Sequence, residues 1–186
     1  MAENNKSKLG VLIPGMGSVA STFICGVIAC NKGLSKPIGS MTQMGSIRLG
    51  KRTENRNPLI KDFVPTVDMN DLMFTGWDIN QENVYDIALK SKVLKNDLLE
   101  ELKPDLQKIN VLKGVFDKKY VRRLNGNWVK SGKNKLDLAE QVMADIESFN
   151  ESSGVDSNVM IWCGSTEVYM EPVSYTHLTL PTSTHV

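Results

Sequence analysis

Leu9 to Lys32 reads LGVLIPGMGSVASTFICGVIACNK, which is the pattern of a strand, a glycine turn and a helix in direct succession. Leu9 to Ile13 is a short apolar run, typical of a buried parallel strand. Gly15, Gly17 and Ala20 then fit the pattern G-x-G-x-x-A. In that pattern the first glycine permits a tight turn, the second lets a pyrophosphate approach the backbone, and the small third residue lets helix and strand pack closely. The stretch therefore predicts the start of a dinucleotide-binding domain.

The predicted helix begins where the pyrophosphate would lie. Its first N–H groups have no partner within the helix, and the helix dipole favours negative charge at this end. Ser18, Ser21 and Thr22 add hydroxyl groups nearby. An anion is therefore the expected ligand of this turn.

Two other interpretations of the stretch stay open on local pattern. The first is a tight turn between strand and helix that binds nothing. The second is a secretion leader, because Leu9 to Asn31 carries no charge and Val27 to Cys30 resembles a lipoprotein cleavage site, with Cys30 as the acylated residue. Pro14 to Gly17 argues against a leader, since it would interrupt a hydrophobic signal helix and is well suited to ending a strand.

Composition places the chain among ordinary globular proteins. Its 186 residues are 41% hydrophobic and 23% charged, enough for one domain with a substantial core. Basic and acidic side chains number 22 and 21, so no strong field favours nucleic acid or an acidic membrane surface as partner. We expect neither partner.

Cysteine and histidine restrict the possible chemistry. Cys25, Cys30 and Cys163 form no C-x-x-C pair, which indicates reduced thiols in a cytoplasmic protein and neither a disulfide framework nor a metal site. Both histidines, His177 and His185, fall in the last ten residues. A Ser-His-Asp triad, a Cys-His pair or a histidine metal site would have to use that end of the chain.

A second strand follows a long irregular segment. Gly33 is placed to end the first helix, and residues 34–68 have neither helical nor strand periodicity, which indicates an insertion. The segment from Asp71 to Ile79 then supplies a buried strand that ends in Gly76-Trp77-Asp78. An acidic residue at this position of a dinucleotide fold accepts the ribose hydroxyls. The alternative for Asp78 is an N-cap or turn residue ahead of the next helix.

The remainder of the chain predicts further helices and one more buried strand. Helical patterns cover Gln81 to Lys90, Asp97 to Ile109 (kinked or divided at Pro104), Phe116 to Leu124, and an apolar stripe from Leu136 to Phe149 that Gly154 closes. A polar loop, Asn125 to Asn134, precedes that stripe, and Val159 to Trp162 follows it as a buried strand. The small residues after this strand, from Cys163 to Thr166, lie where ligands bind in open α/β sheets.

Val173 to Val186, VSYTHLTLPTSTHV, differs abruptly from what precedes it. It contains no charged residue. It resembles translated sequencing-adaptor sequence, which would not be part of the fold, and the alternative is a genuine polar tail. The expected organisation is therefore one incomplete domain over residues 1–172 and a non-native tail over 173–186.

From Lys8 to Pro172 the chain resembles the amino-terminal part of the inositol-3-phosphate synthase family (myo-inositol-1-phosphate synthase), of prokaryotic type. The segments that carry the resemblance are long and idiosyncratic: VLIPGMGSVASTFICGV, GSIRLGKRTENRNPLIKDFVP, FTGWDIN and NVMIWCGSTEVYMEP. The resemblance implies an α/β, Rossmann-like NAD-binding domain with a parallel sheet, truncated before the catalytic and tetramerisation domain. It also implies an isomerase that acts on glucose 6-phosphate with NAD, as a homotetramer. A binding module for NAD(P) without catalysis stays open as an alternative.

Cofactor contacts carry over from the family position by position. The resemblance places Gly15, Met16, Gly17, Ser18, Val19 and Ala20 at the pyrophosphate, Asp78 at the ribose, and Gly114, Val115, Cys163, Gly164, Ser165 and Thr166 near the cofactor. Many eukaryotic members have G-x-G-G-N-N-G and T-A-N-T at the first and last of these sites, so contacts through side-chain amides do not carry over. No catalytic residue and no metal ligand is expected within this chain.

Overall fold

The computed structural model describes residues 7–121 and 124–164. Within them, four parallel strands form one sheet in the order β3-β2-β1-β4: β1 Leu9–Pro14, β2 Leu72–Asp78, β3 Val111–Lys113 and β4 Ser157–Met160. The chain leaves β1 toward β2 and β3, then returns to place β4 on the other side of β1. This is the order of the first four strands of a Rossmann fold, so the predicted fold class is confirmed.

Three helices, α1 Ser18–Asn31, α4 Val84–Ser91 and α5 Asn96–Leu106, pack together on one face of the sheet. Their apolar side chains meet Val11 and Ile13 of β1 in the core, where Ile24, Leu102 and Leu106 are fully buried. Cys25 also lies in this core, and burial raises the pKa of its thiol to about 11. The thiol is therefore protonated at neutral pH.

The last helix, α6 Lys135–Ser153, lies on the opposite face. Side chains alternate along a strand, so Gly10 of β1 faces away from Val11, and a side chain there would collide with the ring of Phe149. The helix begins at the Asn134 cap and ends at Gly154, which has a φ of +62°. Both predicted ends are therefore correct.

Residues 34–68 form the irregular segment that the sequence predicts. It contains two four-residue helices, α2 Met41–Met44 and α3 Ile60–Phe63, and the strand-like pairing of Ser46 with Leu59. Gly33, at a φ of +73°, starts the segment. Its N–H donates to Cys30 O and that of Leu34 donates to Ala29 O, the paired hydrogen bonds of a Schellman ending.

Several predicted elements are wrong. Strand β3 was not anticipated, because three residues carry no readable periodicity. The described part of Phe116 to Leu124 contains a turn and no helix. Pro104 does not divide α5, since it lies near the end of the helix, where its missing N–H costs one hydrogen bond. Of the two alternatives for Asp78, the helix cap is wrong, because Asn83 caps α4, whereas the turn residue is correct, because Asp78 Oδ1 accepts the N–H of Asn80.

The predicted burial of the last helix and strand is also wrong. No residue of α6 is buried, and all four residues of β4 are exposed. Leu136 is 67% exposed and Trp162, just after β4, is 73% exposed. In the described part of the chain β4 is an edge strand, and no further element lies beside it.

The leader interpretation does not agree with the structure. The segment that a leader peptidase would remove contains β1, a central strand, and most of α1, where Val27 and Ala29 are buried. Of the helices described, none has both the length and the apolar character needed to cross a membrane.

Candidate cofactor site

The chain reverses its direction of winding between β1 and β4, which are neighbouring parallel strands with their carboxyl ends at the same edge of the sheet. The ladder between them continues past β4, since Ile161 N–H donates to Leu12 O and Cys163 N–H donates to Pro14 O, both at 2.9 Å. Gly15, at a φ of +88°, then turns so close to the next segment that a side-chain carbon would lie 2.4 Å from the backbone of Gly164. Two loops thus meet at the position where open α/β sheets bind ligands.

The N-terminus of α1 follows β1 at this edge of the sheet and has no capping side chain. Gly17 is the N-cap, and apart from its neighbours in the chain no described residue comes within 4 Å of the position a Cβ would take on it. Among the described residues, no acceptor receives the N–H groups of Ser18, Val19 and Ala20, whereas Ser21 N–H donates to Gly17 O. Open space and three unpaired donors fit a bound anion.

Asp78 ends β2 and lines a cleft of about 260 Å³ beside the glycine turn. Its Oδ1 accepts the backbone N–H of Asn80 at 3.0 Å, which fixes the carboxylate in the turn. The other residues that line this cleft are Met16, Gly17, Ser18, Asn80, Glu82, Ile87, Lys90 and Ser91. Asp78 and the glycine turn therefore share one cavity.

Gly114 contacts Asp78 by a hydrogen bond between their backbones. Its N–H donates to Asp78 O at 2.8 Å, and a side chain at Gly114 would lie 3.0 Å from that oxygen. Val115, the next residue, is 51% exposed. The strand order separates these two residues from the loops that follow β1 and β4, since β2 lies between β3 and β1.

The other predicted contacts differ in which of their atoms are accessible. The Met16 side chain is fully buried against Gly76, so only its backbone can face a ligand, and Ala20 is likewise buried. Val19 is 69% exposed. Cys163 is half-buried and packs against the core. Ser165 and Thr166 lie outside the described residues, as does the tail from Val173 to Val186.

Sequence reasoning missed the polar residues opposite the glycine turn. Asn80 and Glu82 lie in the turn after β2, and Lys90 and Ser91 lie in the last turn of α4. The spacing D-x-N-x-E after a strand was a usable signal, because short polar residues there face the carboxyl edge of the sheet. Lys90 lines the cleft because of the way α4 packs, and no pattern in the neighbouring sequence predicts that position. Among the described residues, no group of three or more His, Cys, Asp or Glu could hold a metal ion.

The strand order, the glycine turn and the acidic residue at the end of β2 together define a dinucleotide-binding domain. A family model for an NAD-binding domain, described as Myo-inositol-1-phosphate synthase, matches residues 9–182. The chain belongs to this family, and its cofactor is NAD.

Relatives and a solved structure agree with this family. The chain is 40% identical over 174 residues to inositol-3-phosphate synthase 1 of Bacteroides thetaiotaomicron, over 93% of this chain and 40% of the relative. It is 35% identical to a probable isozyme of Arabidopsis thaliana, over 89% of this chain and 35% of the relative. The crystal structure of inositol-3-phosphate synthase from Caenorhabditis elegans matches with a TM-score of 0.77 and 28% identity, over 92% of this chain and 37% of that one. The chain thus spans 40% or less of the length of these relatives.

Proposed function

We propose that the chain is the cofactor-binding part of an inositol-3-phosphate synthase, which isomerises glucose 6-phosphate to inositol 3-phosphate. One observation carries the proposal: a chain of this family has a glycine turn with unpaired N–H groups and an acidic strand end in one cleft. A bound NAD would supply an acceptor for a hydride from the sugar phosphate and, once reduced, a donor that gives the hydride back, so the reaction would have no net redox change.

The residues of this chain bind and orient the cofactor in this proposal. The N–H groups of Ser18, Val19 and Ala20 hold the pyrophosphate beside Gly17, and the carboxylate of Asp78 accepts the ribose hydroxyls. Gly15 and Met16 shape the turn and contribute backbone. Cys163 and Gly164, whose backbone lies beside Gly15, are assigned to the cofactor together with Ser165 and Thr166. Gly114 and Val115 are assigned to the ribose side.

The catalytic groups are proposed to lie outside this chain. Enolisation and ring closure require a proton acceptor, and cations on the substrate phosphate and the developing oxyanion. Asp78, Glu82 and Lys90 are the ionisable groups of the Asp78 cleft, and Lys90 is paired with Glu82. We therefore expect the substrate site, and the contacts of a cytoplasmic homotetramer, in the part of the relatives that this chain does not span.

An inositol-phosphate assay with glucose 6-phosphate and NAD tests this function. We expect no turnover by the 186-residue chain and turnover by a version extended with the downstream sequence of the Bacteroides relative. Turnover by the chain alone would overturn the assignment of catalysis to the downstream part. Absence of turnover in a folded, NAD-binding extended protein would contradict the proposed function.

Gly17→Val is a matched control in the extended protein. The φ of Gly17 is −95°, which any residue can adopt, and its side-chain position is open, so the variant should fold. The added methyl groups would occupy the place of the pyrophosphate, and we expect NAD binding and turnover to be lost together.

A further inference from the structure

The cleft beside Asp78 contains an ion pair that the proposed cofactor contacts do not use. Lys90 Nζ lies 2.6 Å from Glu82 Oε1, and both residues line the cleft with Asp78 and Asn80. Lys90 is the one cation that lines this cleft within the described residues, and a carboxylate already holds it.

The fold brings these two residues together across eight positions of the chain. Glu82 lies in the turn that precedes α4, where its N–H donates to Asn80 O at 3.0 Å. Lys90 lies in the last turn of α4, and helical side chains lean toward the N-terminus, so its ammonium group reaches back toward Glu82. The pair is therefore placed by the same turn that fixes Asp78.

Stability does not account for the pair. The Lys90 side chain is 67% exposed and that of Glu82 is 32% exposed, and pairs this accessible contribute little to folding. The pair does, however, affect the net charge of the cleft. Asp78 and Glu82 are negative, whereas Lys90 is positive, so the cleft carries one net negative charge.

A 2′-phosphate on the adenosine ribose adds close to two further negative charges at neutral pH. Asp78 repels that group. Proteins that accept it place a free basic side chain near the ribose. In this cleft Lys90 is the basic side chain that could bind the 2′-phosphate. Glu82 already holds Lys90 in an ion pair, and its own carboxylate also repels a 2′-phosphate.

We propose that Glu82 is a second determinant of cofactor choice, because it holds Lys90 in an ion pair and so withholds from a 2′-phosphate the cation that would otherwise bind it. The inference rests on the proposed role of this cleft in holding the adenosine ribose. It adds to the role of Asp78, which acts by accepting the ribose hydroxyls.

A double-mutant cycle on the 186-residue chain tests the inference. Ligand-observed NMR titration, which reaches the millimolar range, would give Kd values for NAD and NADP with the unmodified chain, Glu82→Gln, Lys90→Gln and the double variant. Glu54→Gln is the matched control, since it removes the same charge from an exposed pair with Arg56 in the insertion.

Glu82→Gln should strengthen NADP binding about fivefold, as screened Coulomb interactions at this range suggest, and change NAD binding less. Lys90→Gln should weaken NADP binding, and the double variant should return to within about twofold of the unmodified chain because the net charge is restored. Glu54→Gln should leave both constants unchanged.

Two outcomes would overturn the inference while the proposed function stands. In the first, NAD binds and Glu82→Gln leaves the Kd for NADP unchanged. In the second, the double variant binds NADP as tightly as Glu82→Gln does. If the unmodified chain bound neither nucleotide, the proposed cofactor role of the cleft would fail, and the inference with it. Equal binding of NAD and NADP by the unmodified chain would contradict the roles given to both Asp78 and Glu82.

Discussion

The two carboxylate oxygens of Asp78 have different contacts. Oδ1 accepts the N–H of Asn80 at 3.0 Å and the Asn80 side-chain amide at 3.4 Å, whereas Oδ2 accepts no hydrogen bond from the described residues. An asparagine can keep the first contact through its carbonyl oxygen and loses the negative charge. Asp78→Asn therefore separates the structural use of this residue from its proposed use on the ribose.

We expect Asp78→Asn to narrow the preference for NAD over NADP. Loss of a charged acceptor for the ribose hydroxyls should weaken NAD binding about tenfold, and loss of the repulsion should leave NADP binding equal or stronger. Calorimetry on the extended protein measures both constants, and an unchanged urea midpoint would show that the turn is intact. Equal affinity of the unmodified protein for NAD and NADP would count decisively against this role.

At the scale of elements, helix α6 is joined to the sheet by a small polar cluster. Asp145 Oδ2 accepts Trp77 Nε1 at 2.7 Å and lies 2.8 Å from Lys130 Nζ. The side chains of Lys130 and Asp145 are 10% and 20% exposed, and Lys130 N–H donates to Gly114 O at 2.8 Å. The cluster therefore connects α6, the polar loop and the ends of β2 and β3.

Lys130→Met should lower the free energy of unfolding by about 1–2 kcal/mol, because it leaves a mostly buried carboxylate without its cation. Adding Asp145→Asn should restore part of the loss, since asparagine can still accept the Trp77 hydrogen bond. Urea denaturation measures the free energy of unfolding of the single and the double variant. Lys108→Met is the comparison: that lysine is 74% exposed beside Asp105, and its loss should cost less than about 0.5 kcal/mol. Equal costs at the two sites would refute the role of the cluster.

The molecule as a whole is unevenly packed. On one face of the sheet, α1, α4 and α5 enclose the buried core. Neither α6, on the other face, nor the edge strand β4 has a buried residue. Met143 of α6 is 59% exposed and Met160 of β4 is 51% exposed. Large exposed apolar areas mark surfaces that another element covers. In a full-length family member, we expect the remainder of the chain to cover the exposed apolar surface of α6 and β4.

Hydrogen exchange should reveal the difference between the two faces. In the 186-residue chain, amides of α6 should be roughly 100-fold less protected than those of α5, whose Leu99, Leu102 and Leu106 are buried. In the version extended with the Bacteroides sequence, α6 should approach the protection of α5. Equal protection of both helices in the chain alone would show that α6 needs no covering element.

Local sequence determined the elements whose signals lie within a few residues. Leu9 to Lys32 specifies strand, turn and helix, because Gly15 must take a positive φ and Gly17 must leave room beside the helix N-terminus. Gly33 and Gly154 ended their helices for the same conformational reason. The idiosyncratic segments around these residues also sufficed to indicate the family.

Tertiary structure decided whatever depends on a partner distant in the chain. Three residues become β3 because β2 offers them a parallel edge, and no residue of the α6 stripe is fully buried. The pairing of Glu82 with Lys90 depends on where α4 docks. Local pattern records the intrinsic preference of a segment, whereas burial, sheet pairing and side-chain contacts depend on which other segments come within reach.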